Sequence, residues 1–306
     1  MEGTSDRRGY RLRLKDVINL AAPHTWPGSV APAIIGLAIS YDRLSYIDPL
    51  MAACFFIIVI LMQSAVNAFD DYADFVKGTD TLDNSPDAYD AVIVYGMKPR
   101  TALLLGFSFL LLAAIPAAYV VAVKGMVPLI IGLIGTVVLF GYAFGKMPIS
   151  YLPIGEVCCG FVMGGLIPLA GVYMQTGRLD LFVLVEASPP IFGMAINMFS
   201  NNGCDIARDI PAGRHTLACI VGQRRTEQLY RGLLIVWVFS PLVILAAQGR
   251  WVSVLIYAFA CLAFTHLIQR QFRLPLGPAT RESVMTGATT LVSLVGFSYS
   301  LALILG

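Results

Sequence analysis

Long apolar stretches recur along almost the whole chain, and they constrain its fold more than any other feature. Each is about 18 to 25 residues long, and a helix of about 20 apolar residues crosses the hydrocarbon core of a bilayer. Nine such stretches are present, at residues 18–41, 48–69, 101–123, 126–145, 154–175, 181–201, 229–247, 251–269 and 283–305. They predict an all-α integral membrane protein with nine transmembrane helices. We expect one domain over residues 1–306, of which residues 1–17 form a cytoplasmic N-terminal segment.

The composition excludes an ordinary water-soluble protein. Charged residues make up 13% of the chain, about half their usual share in soluble domains. The net charge is only +2, and the positive residues sit mostly in the segments between apolar stretches, which argues against nucleic-acid binding. The six cysteines lack paired metal-ligand spacing, so we expect them to serve as packing residues.

The positive charges predict how the helices are oriented. With the N-terminus placed inside and nine crossings of the membrane, all but four of the 21 lysines and arginines fall on the cytoplasmic side. The four exceptions are Arg43, Lys124, Arg178 and Arg250. Short loops rich in lysine and arginine stay in the cytoplasm. We therefore expect a multi-pass protein of the cytoplasmic membrane with its C-terminus outside.

Two acidic clusters follow the second and sixth apolar stretches and are the strongest functional signal. Ionisable groups next to hydrocarbon are costly, so such clusters are candidates for function. They share one spacing, Asn-x2-Asp-x3-Asp, formed by Asn67, Asp70 and Asp74 and again by Asn202, Asp205 and Asp209. On a helix each triplet lies on one face, and the predicted orientation brings both to the cytoplasmic side. They can therefore face one cavity.

Several converging carboxylates without compensating protein charge are suited to magnesium, which commonly bridges a few carboxylates to substrate phosphates. The implied ligand is a diphosphate, and the implied reaction is the ionisation of an allylic diphosphate. Cationic side chains would stabilise the departing diphosphate, and an apolar, partly aromatic cavity would shelter the carbocation-like prenyl group. The alternative for either cluster alone is an ordinary solvated helix end.

At these residues the sequence resembles the UbiA prenyltransferase superfamily, nine-helix membrane enzymes with one aspartate-rich motif after helix 2 and another after helix 6. Within it, the closer likeness is to the 1,4-dihydroxy-2-naphthoate prenyltransferases of menaquinone synthesis. The segments that carry this likeness are Pro23–Pro32, Asp71–Asp80, Gly155–Glu156, Tyr173–Gly177 and Asn201–Leu217. The resemblance implies a helical bundle around a central cavity. It also implies magnesium-dependent prenyl transfer from a polyprenyl diphosphate to 1,4-dihydroxy-2-naphthoate, with decarboxylation, to give demethylmenaquinone.

The resemblance also implies roles for individual residues. The expected magnesium ligands are Asp70, Asp71, Asp74, Asp80, Asp205 and Asp209. The residues expected in or beside that shell are Asn67, Asn201 and Asn202. The cations expected to meet the diphosphate are Lys77, Lys146 and Arg214. Tyr142 and Lys146 are expected one helical turn apart, near the reacting end of the prenyl chain.

Three positions depart from the family pattern. Asp70 stands where the family usually has Asn, and Ala22 stands where an Arg usually precedes the helix 1 proline, with His24 two residues on. In residues 84–92, where relatives usually place Gly-Pro and an Arg, this chain reads Asn-Ser-Pro-Asp-Ala-Tyr-Asp-Ala-Val. These differences bear on the acceptor more than on membership of the superfamily. His24 replaces family chemistry near the expected cavity and is a candidate substrate-binding residue.

Glu156 is a further candidate for a functional role. Glu156 lies just inside the fifth stretch, where we expect an acceptor-binding or gating role; the alternative is an acid stabilised by the helix dipole.

Two alternative functions stay open. A UbiA-type enzyme with another aromatic or lipid acceptor would share every feature except the menaquinone-like segments. A transporter or ion-binding membrane protein also places acids beside helix breaks.

Overall fold

In the computed structural model, residues 11–78 and 96–306 are described, and they form helices and connecting turns without a β-strand. The helices are α1 (Leu14–Ala21), α2 (Pro27–Leu44), α3 (Pro49–Lys77), α4 (Pro99–Lys124), α5 (Val127–Ala143), α6 (Gly155–Cys159), α7 (Ile167–Thr176), α8 (Val183–Glu186), α9 (Ser188–Cys204), α10 (Ile206–Asp209), α11 (Leu217–Val221), α12 (Gln223–Ala247), α13 (Trp251–Ala263), α14 (Thr265–Arg273) and α15 (Arg281–Leu305). A π-helical segment, Gly160–Leu166, joins α6 and α7 into one rod. The all-helical prediction is confirmed for these residues.

Five of the described helices are long and apolar enough to cross a membrane: α3, α4, the rod Gly155–Thr176, α12 and Pro278–Leu305, which contains α15. Helices α13 and α14 add a sixth if they form one span, although they bend by 62° at Phe264. The remaining predicted spans coincide with α2, α5 and α9, which have 18, 17 and 17 residues. Length and composition therefore support a multi-pass membrane protein, and the count of nine crossings stays a prediction.

Helix α3 carries the first acidic motif and is longer than the predicted span 48–69. It begins at Pro49, whose missing N–H and fixed φ suit a first helical turn, and the Asp48 carboxylate accepts two backbone N–H bonds there. It continues through the motif to Lys77 and ends at Gly78, which has a φ of +71°. The motif is thus part of the helix itself.

Glycines in the rod let α9, which precedes the second motif, pack closely against it. A Cβ on Gly164 would lie 2.4 Å from the backbone of Ile191, and one on Gly160 would lie 2.9 Å from the Ala195 side chain. Such contacts between small residues are common where helices pack in membranes. They fix the position of α9 relative to the rod.

The four helices α2, α3, α9 and α15 connect two ends of the bundle. At the motif end, Asn67 of α3 donates to the carbonyl of Ala21 just before α2, and Arg281 of α15 donates to Asp205 just after α9. At the opposite end, Arg43 near the end of α2 pairs with Glu186, two residues before α9 begins. Both acidic motifs therefore lie at the same end of the bundle.

Candidate active site

A large cavity extends from the motif end into the apolar interior. Its volume is about 1810 Å³, larger than the 300 to 1,000 Å³ of common small-molecule sites. On α3 alone its wall runs from Phe55 to Asp74, a helical length of roughly 28 Å. Most lining residues from α3, α4, α5 and the rod are aliphatic or methionine. The space suits a long apolar chain together with a second, smaller molecule.

The lining of the cavity is only partly aromatic. Among the described residues, two side chains of the Phe, Tyr and Trp types contribute to the wall: Phe55 and Tyr142. The main aromatic cluster, with Phe69, Phe107 and Phe140 in ring contact, packs between α3, α4 and α5 instead. The expectation of a partly aromatic cavity is met by Phe55 and Tyr142, while the clustered rings fill a helix interface.

The first motif lines the mouth of the cavity from one helix face. Asn67, Asp70, Asp71 and Asp74 all contribute to the wall. The Asn67 amide donates to the Ala21 carbonyl at 2.8 Å and to the Thr25 hydroxyl at 2.9 Å. Asn67 thus ties α3 to the start of α2 and leaves the aspartates facing the cavity.

The second motif does not lie on one helix face, in contrast to the prediction. Asp205, with φ of −104° and ψ of 6°, separates α9 from α10 and breaks the helical register. Asn201 and Asp205 line the cavity, whereas Asn202 and Asp209 do not. Asn202 instead donates to the Glu156 carboxylate at 2.8 Å. The break turns Asp209 toward a different partner.

That partner is Arg214, which links the two motifs. Its Nη2 lies 3.3 Å from Asp74 Oδ1, and its Nη1 lies 3.5 Å from Asp209 Oδ1. The guanidinium also stacks over Tyr151, 5.0 Å from the ring centre. The long-range pairing of residues 74 and 209 through one arginine places the two motifs at a single mouth.

Asp209 is a buried carboxylate that contacts Arg214 without a hydrogen bond. The residue is fully buried, and neither carboxylate oxygen accepts a hydrogen bond from a described residue. Burial raises the pKa of Asp209 to about 6, against the lowering effect of Arg214. A buried carboxylate in this condition is stabilised by an added cation.

The donor chemistry of the two motifs fits magnesium. Magnesium prefers oxygen ligands such as carboxylates, and the oxygens of Asp209 accept no hydrogen bond from a described residue. Over residues 11–78 and 96–306, however, no group of three or more His, Cys, Asp or Glu residues is already gathered close enough to hold one ion. Arg214 lies between Asp74 and Asp209, so the acids surround the mouth without converging on one point.

The structure separates several other predicted residues from the cavity wall. Lys77 donates to the Ala143 carbonyl at 2.5 Å and lies 5.2 Å from the Tyr151 ring centre. Lys146 is exposed and lies beyond the end of α5. The helical pairing of Tyr142 with Lys146 was wrong, because α5 ends at Ala143 and Gly145 then adopts a φ of +106°. Tyr142 itself lines the cavity.

His24 and Glu156 differ in their surroundings, and Asp80 lies outside the described residues. His24 is exposed and lines the cavity mouth. Glu156 is 4% exposed and does not line the cavity. Its Oε1 accepts from Asn202, and its Oε2 has no hydrogen-bond partner among the described residues. The structure therefore connects Glu156 to the second motif through Asn202.

Two arginines at the mouth were missed as site residues. Arg281 donates from Nε to both oxygens of Asp205, at 3.1 and 3.2 Å, and from Nη2 to Asn201 at 2.9 Å. Arg208 donates to Asp205 at 3.1 Å. In the sequence, both arginines count only among the cytoplasmic charges. The position of Arg281 at the start of the last apolar stretch was the one available signal.

Comparisons with known proteins agree on one family. The sequence model of the UbiA prenyltransferase family matches residues 29–300. The 1,4-dihydroxy-2-naphthoate octaprenyltransferase of Bacillus subtilis is 32% identical over 241 residues, which cover 77% of this chain and 76% of the relative. The human UbiA prenyltransferase domain-containing protein 1 is 24% identical over 274 residues, covering 87% and 78%.

Solved structures show the same fold. A UbiA homologue from Archaeoglobus fulgidus, bound to DMAPP and Mg²⁺, superposes with a TM-score of 0.68 and covers 94% of this chain and 99% of its own. A structure of the same homologue with GPP and Mg²⁺ also gives 0.68. At 16% identity, these similarities establish the architecture of the helices and leave the chemistry to the residues of the site.

Proposed function

The chain belongs to the UbiA prenyltransferase family, and from this premise we propose that it transfers a polyprenyl group to 1,4-dihydroxy-2-naphthoate. The acceptor loses its carboxylate, and the product is demethylmenaquinone in its hydroquinone form. One observation carries the proposal: Arg214 pairs with an aspartate of each acidic motif at the mouth of a large apolar cavity. Support for the acceptor comes from the Bacillus subtilis relative, a 1,4-dihydroxy-2-naphthoate octaprenyltransferase.

The reaction breaks one bond at the prenyl carbon and forms another. The C–O bond to the diphosphate breaks with its electron pair on the diphosphate, and the same prenyl carbon then bonds to the ring carbon that carries the carboxylate. The carboxylate departs as CO₂, and the electron pair of its C–C bond restores the aromatic ring. No outside oxidant or reductant is needed for these steps, which release diphosphate and CO₂.

The site residues divide into a polar mouth and an apolar interior. We assign the magnesium ligands to Asp70, Asp71, Asp74, Asp80, Asp205 and Asp209. Bound there, magnesium would neutralise charge on the departing diphosphate. We assign Arg214, which lines the cavity, to donate to the same anion, and we keep Lys77 and Lys146 as further cations for it. The aliphatic wall excludes water from the cationic prenyl carbon, and Tyr142 lines that wall.

The remaining candidates act around this core. Asn67 holds α3 against the start of α2, and Asn201 lies beside Asp205 on the wall. We assign Asn202 and Glu156 to positioning the second motif, since they bond to each other behind it. His24 is assigned to substrate binding at the mouth.

For the membrane arrangement, we retain nine crossings with the N-terminus and the motif end in the cytoplasm and the C-terminus outside. The cations at the opposite end support this orientation, because Arg43 and Arg250 are there, two of the four predicted outside. A polyprenyl diphosphate could then reach the cavity from the bilayer while its head group stays at the aqueous face.

The proposal is tested by product formation with the purified, detergent-solubilised protein. The assay supplies a polyprenyl diphosphate with 1,4-dihydroxy-2-naphthoate or 4-hydroxybenzoate, in magnesium or in a chelator. From the naphthoate we expect demethylmenaquinone in its hydroquinone form, with equimolar diphosphate and CO₂, in magnesium only. Product from the benzoate alone would keep the reaction and overturn the acceptor. Binding of the diphosphate without any release of diphosphate would favour a non-catalytic protein.

A further inference from the structure

Arg281 occupies the cavity wall on a helix that carries neither acidic motif. It is the first residue of α15 and lines the cavity. Its Nε and Nη2 are committed to Asp205 and Asn201, which hold the guanidinium plane in place. Its Nη1 donates to no described residue and is not among the buried atoms that lack a partner. One edge of an oriented guanidinium is therefore left for a ligand.

The helix that continues from Arg281 presents hydroxyl groups to the cavity. Thr286, Thr289, Thr290 and Ser293 line the wall at i, i+3, i+4 and i+7, a helical stripe. The hydroxyls of Thr290 and Ser293 donate to carbonyls four residues earlier, at 2.7 and 3.1 Å. Their oxygens keep lone pairs that can accept hydrogen bonds. This stripe contrasts with the aliphatic wall of α3, α4 and α5.

The contrast divides the cavity between two kinds of ligand. An isoprenoid chain gains nothing from a row of hydroxyls, and it is accommodated by the aliphatic wall. A hydroxylated aromatic ring needs hydrogen-bond acceptors, and a carboxylate needs an oriented cation. Arg281 and the stripe supply both on one helix.

We propose that Arg281 and the Thr286–Ser293 stripe form the acceptor subsite, in which Arg281 donates to the carboxylate of a hydroxylated aromatic acid. The inference rests on the proposed function, since it names the part of the site that selects the acceptor. Arg214 is less suited to this role, because both its terminal nitrogens already face the two acidic motifs. The separation leaves Arg214 to the diphosphate and Arg281 to the acceptor.

The test compares two acceptors that differ in the carboxylate alone: 1,4-dihydroxy-2-naphthoate and 1,4-dihydroxynaphthalene. For Arg281→Gln we expect kcat/KM for the naphthoate to fall about 10- to 100-fold, the value of a charge-assisted hydrogen bond. Because Arg281 also bonds to Asp205, the value for the naphthalene diol should fall too, but by no more than it falls in Arg208→Gln. An equal loss with both acceptors would overturn the subsite.

Two matched variants separate recognition from a general disturbance of Asp205. Arg208→Gln removes another cation from the same carboxylate, and we expect it to lower activity with both acceptors in parallel. Thr290→Val removes one hydroxyl without a change in shape and should raise KM for both hydroxylated acceptors several-fold. A carboxylate-selective loss in Arg208→Gln equal to that of Arg281→Gln would contradict the assignment to Arg281.

Binding measurements keep this inference separate from the reaction itself. If the wild-type protein forms no product, the proposed function fails, and titration calorimetry with 1-hydroxy-2-naphthoate and 1-naphthol still tests the subsite. We expect Arg281→Gln to weaken binding of the naphthoate about 10-fold or more and to leave the naphthol unchanged. Unchanged naphthoate binding would overturn the inference in either case.

Discussion

The two ends of the helical bundle use the same kinds of charged residue in different ways. At the opposite end, Arg250 makes two parallel bonds to Asp42, at 2.8 and 2.7 Å, and Arg43 pairs with both Asp180 and Glu186. None of these side chains lines the cavity. Two arginines hold these three acids, so the set works as a clamp between helices.

At the motif end, the described acids differ in how they are paired: Asp205 bonds to two arginines, whereas Asp209 has a longer contact with one. Arg214 is shared between Asp74 and Asp209, and Asp209 accepts no hydrogen bond from a described residue. The acids of the first motif line a large cavity together with Asp205. Charge pairing at a helix end therefore does not by itself point to a functional site. Acids that line a large cavity are the better candidates.

The largest expected effect is the loss of catalysis at the motif end. Asp205→Ala and Asp74→Ala each remove a proposed magnesium ligand, and we expect kcat to fall by at least about 1,000-fold, or ~4 kcal/mol in the barrier. Prenyl transfer with magnesium at saturation measures it. The folded protein should survive, and its unfolding temperature in detergent should stay within a few degrees of wild type. Substantial activity in either variant would contradict the proposal that both motifs supply magnesium ligands.

The opposite end should respond with stability instead of activity. Arg43→Ala leaves the mostly buried Glu186 carboxylate without its cation, and we expect the free energy of unfolding to drop by about 2 to 3 kcal/mol. Thermal unfolding in detergent measures this loss. The kcat of the protein that remains folded should be unchanged. A large drop in kcat at full folding would mean that the two ends are coupled and would break the comparison.

Arg214 should have the next largest effect, because it links the two motifs. Arg214→Gln keeps some hydrogen bonding and removes the charge, and we expect kcat/KM for the polyprenyl diphosphate to fall about 100-fold. Arg250→Gln is the matched control at the opposite end and should leave kcat/KM unchanged. An equal effect of both variants would show that Arg214 acts through general stability.

The sequence predicted the first motif well and the second less well, for a physical reason. Asn67, Asp70 and Asp74 lie on one continuous helix, so their spacing determines a shared face. Asp205 interrupts the second helix, and the face rule then no longer applies to Asp209. Spacing alone does not report where a helix breaks.

Contacts between distant segments were also beyond sequence reasoning. Arg281 is 76 residues from Asp205, and their pairing depends on how α15 packs against α9. Lys146 was placed on a helix because the apolar run continues past Ala143, whereas the chain turns at Gly145. In both cases the decisive information lies in tertiary packing or in one backbone dihedral angle.

The smallest expected effect is on the free energy of unfolding, and it has opposite signs at the two ends of the bundle. Asp209→Asn removes a buried charge that lacks hydrogen bonds, and in a chelator we expect it to stabilise the fold by about 1 kcal/mol. Asp42→Asn breaks a two-bond pair with Arg250 and should destabilise by about 1 kcal/mol. Unfolding temperatures in EDTA measure both changes.

Magnesium sharpens this last prediction, because a cation bound to the motif end stabilises the folded state by mass action. The wild-type protein and Asp42→Asn should gain unfolding temperature when magnesium and a polyprenyl diphosphate are added together. Asp209→Asn should lose most of that gain, so that its advantage in EDTA disappears. If Asp209→Asn were destabilising in EDTA, the carboxylate would be a structural partner like those at the opposite end, and the distinction between the two ends would not hold for this residue.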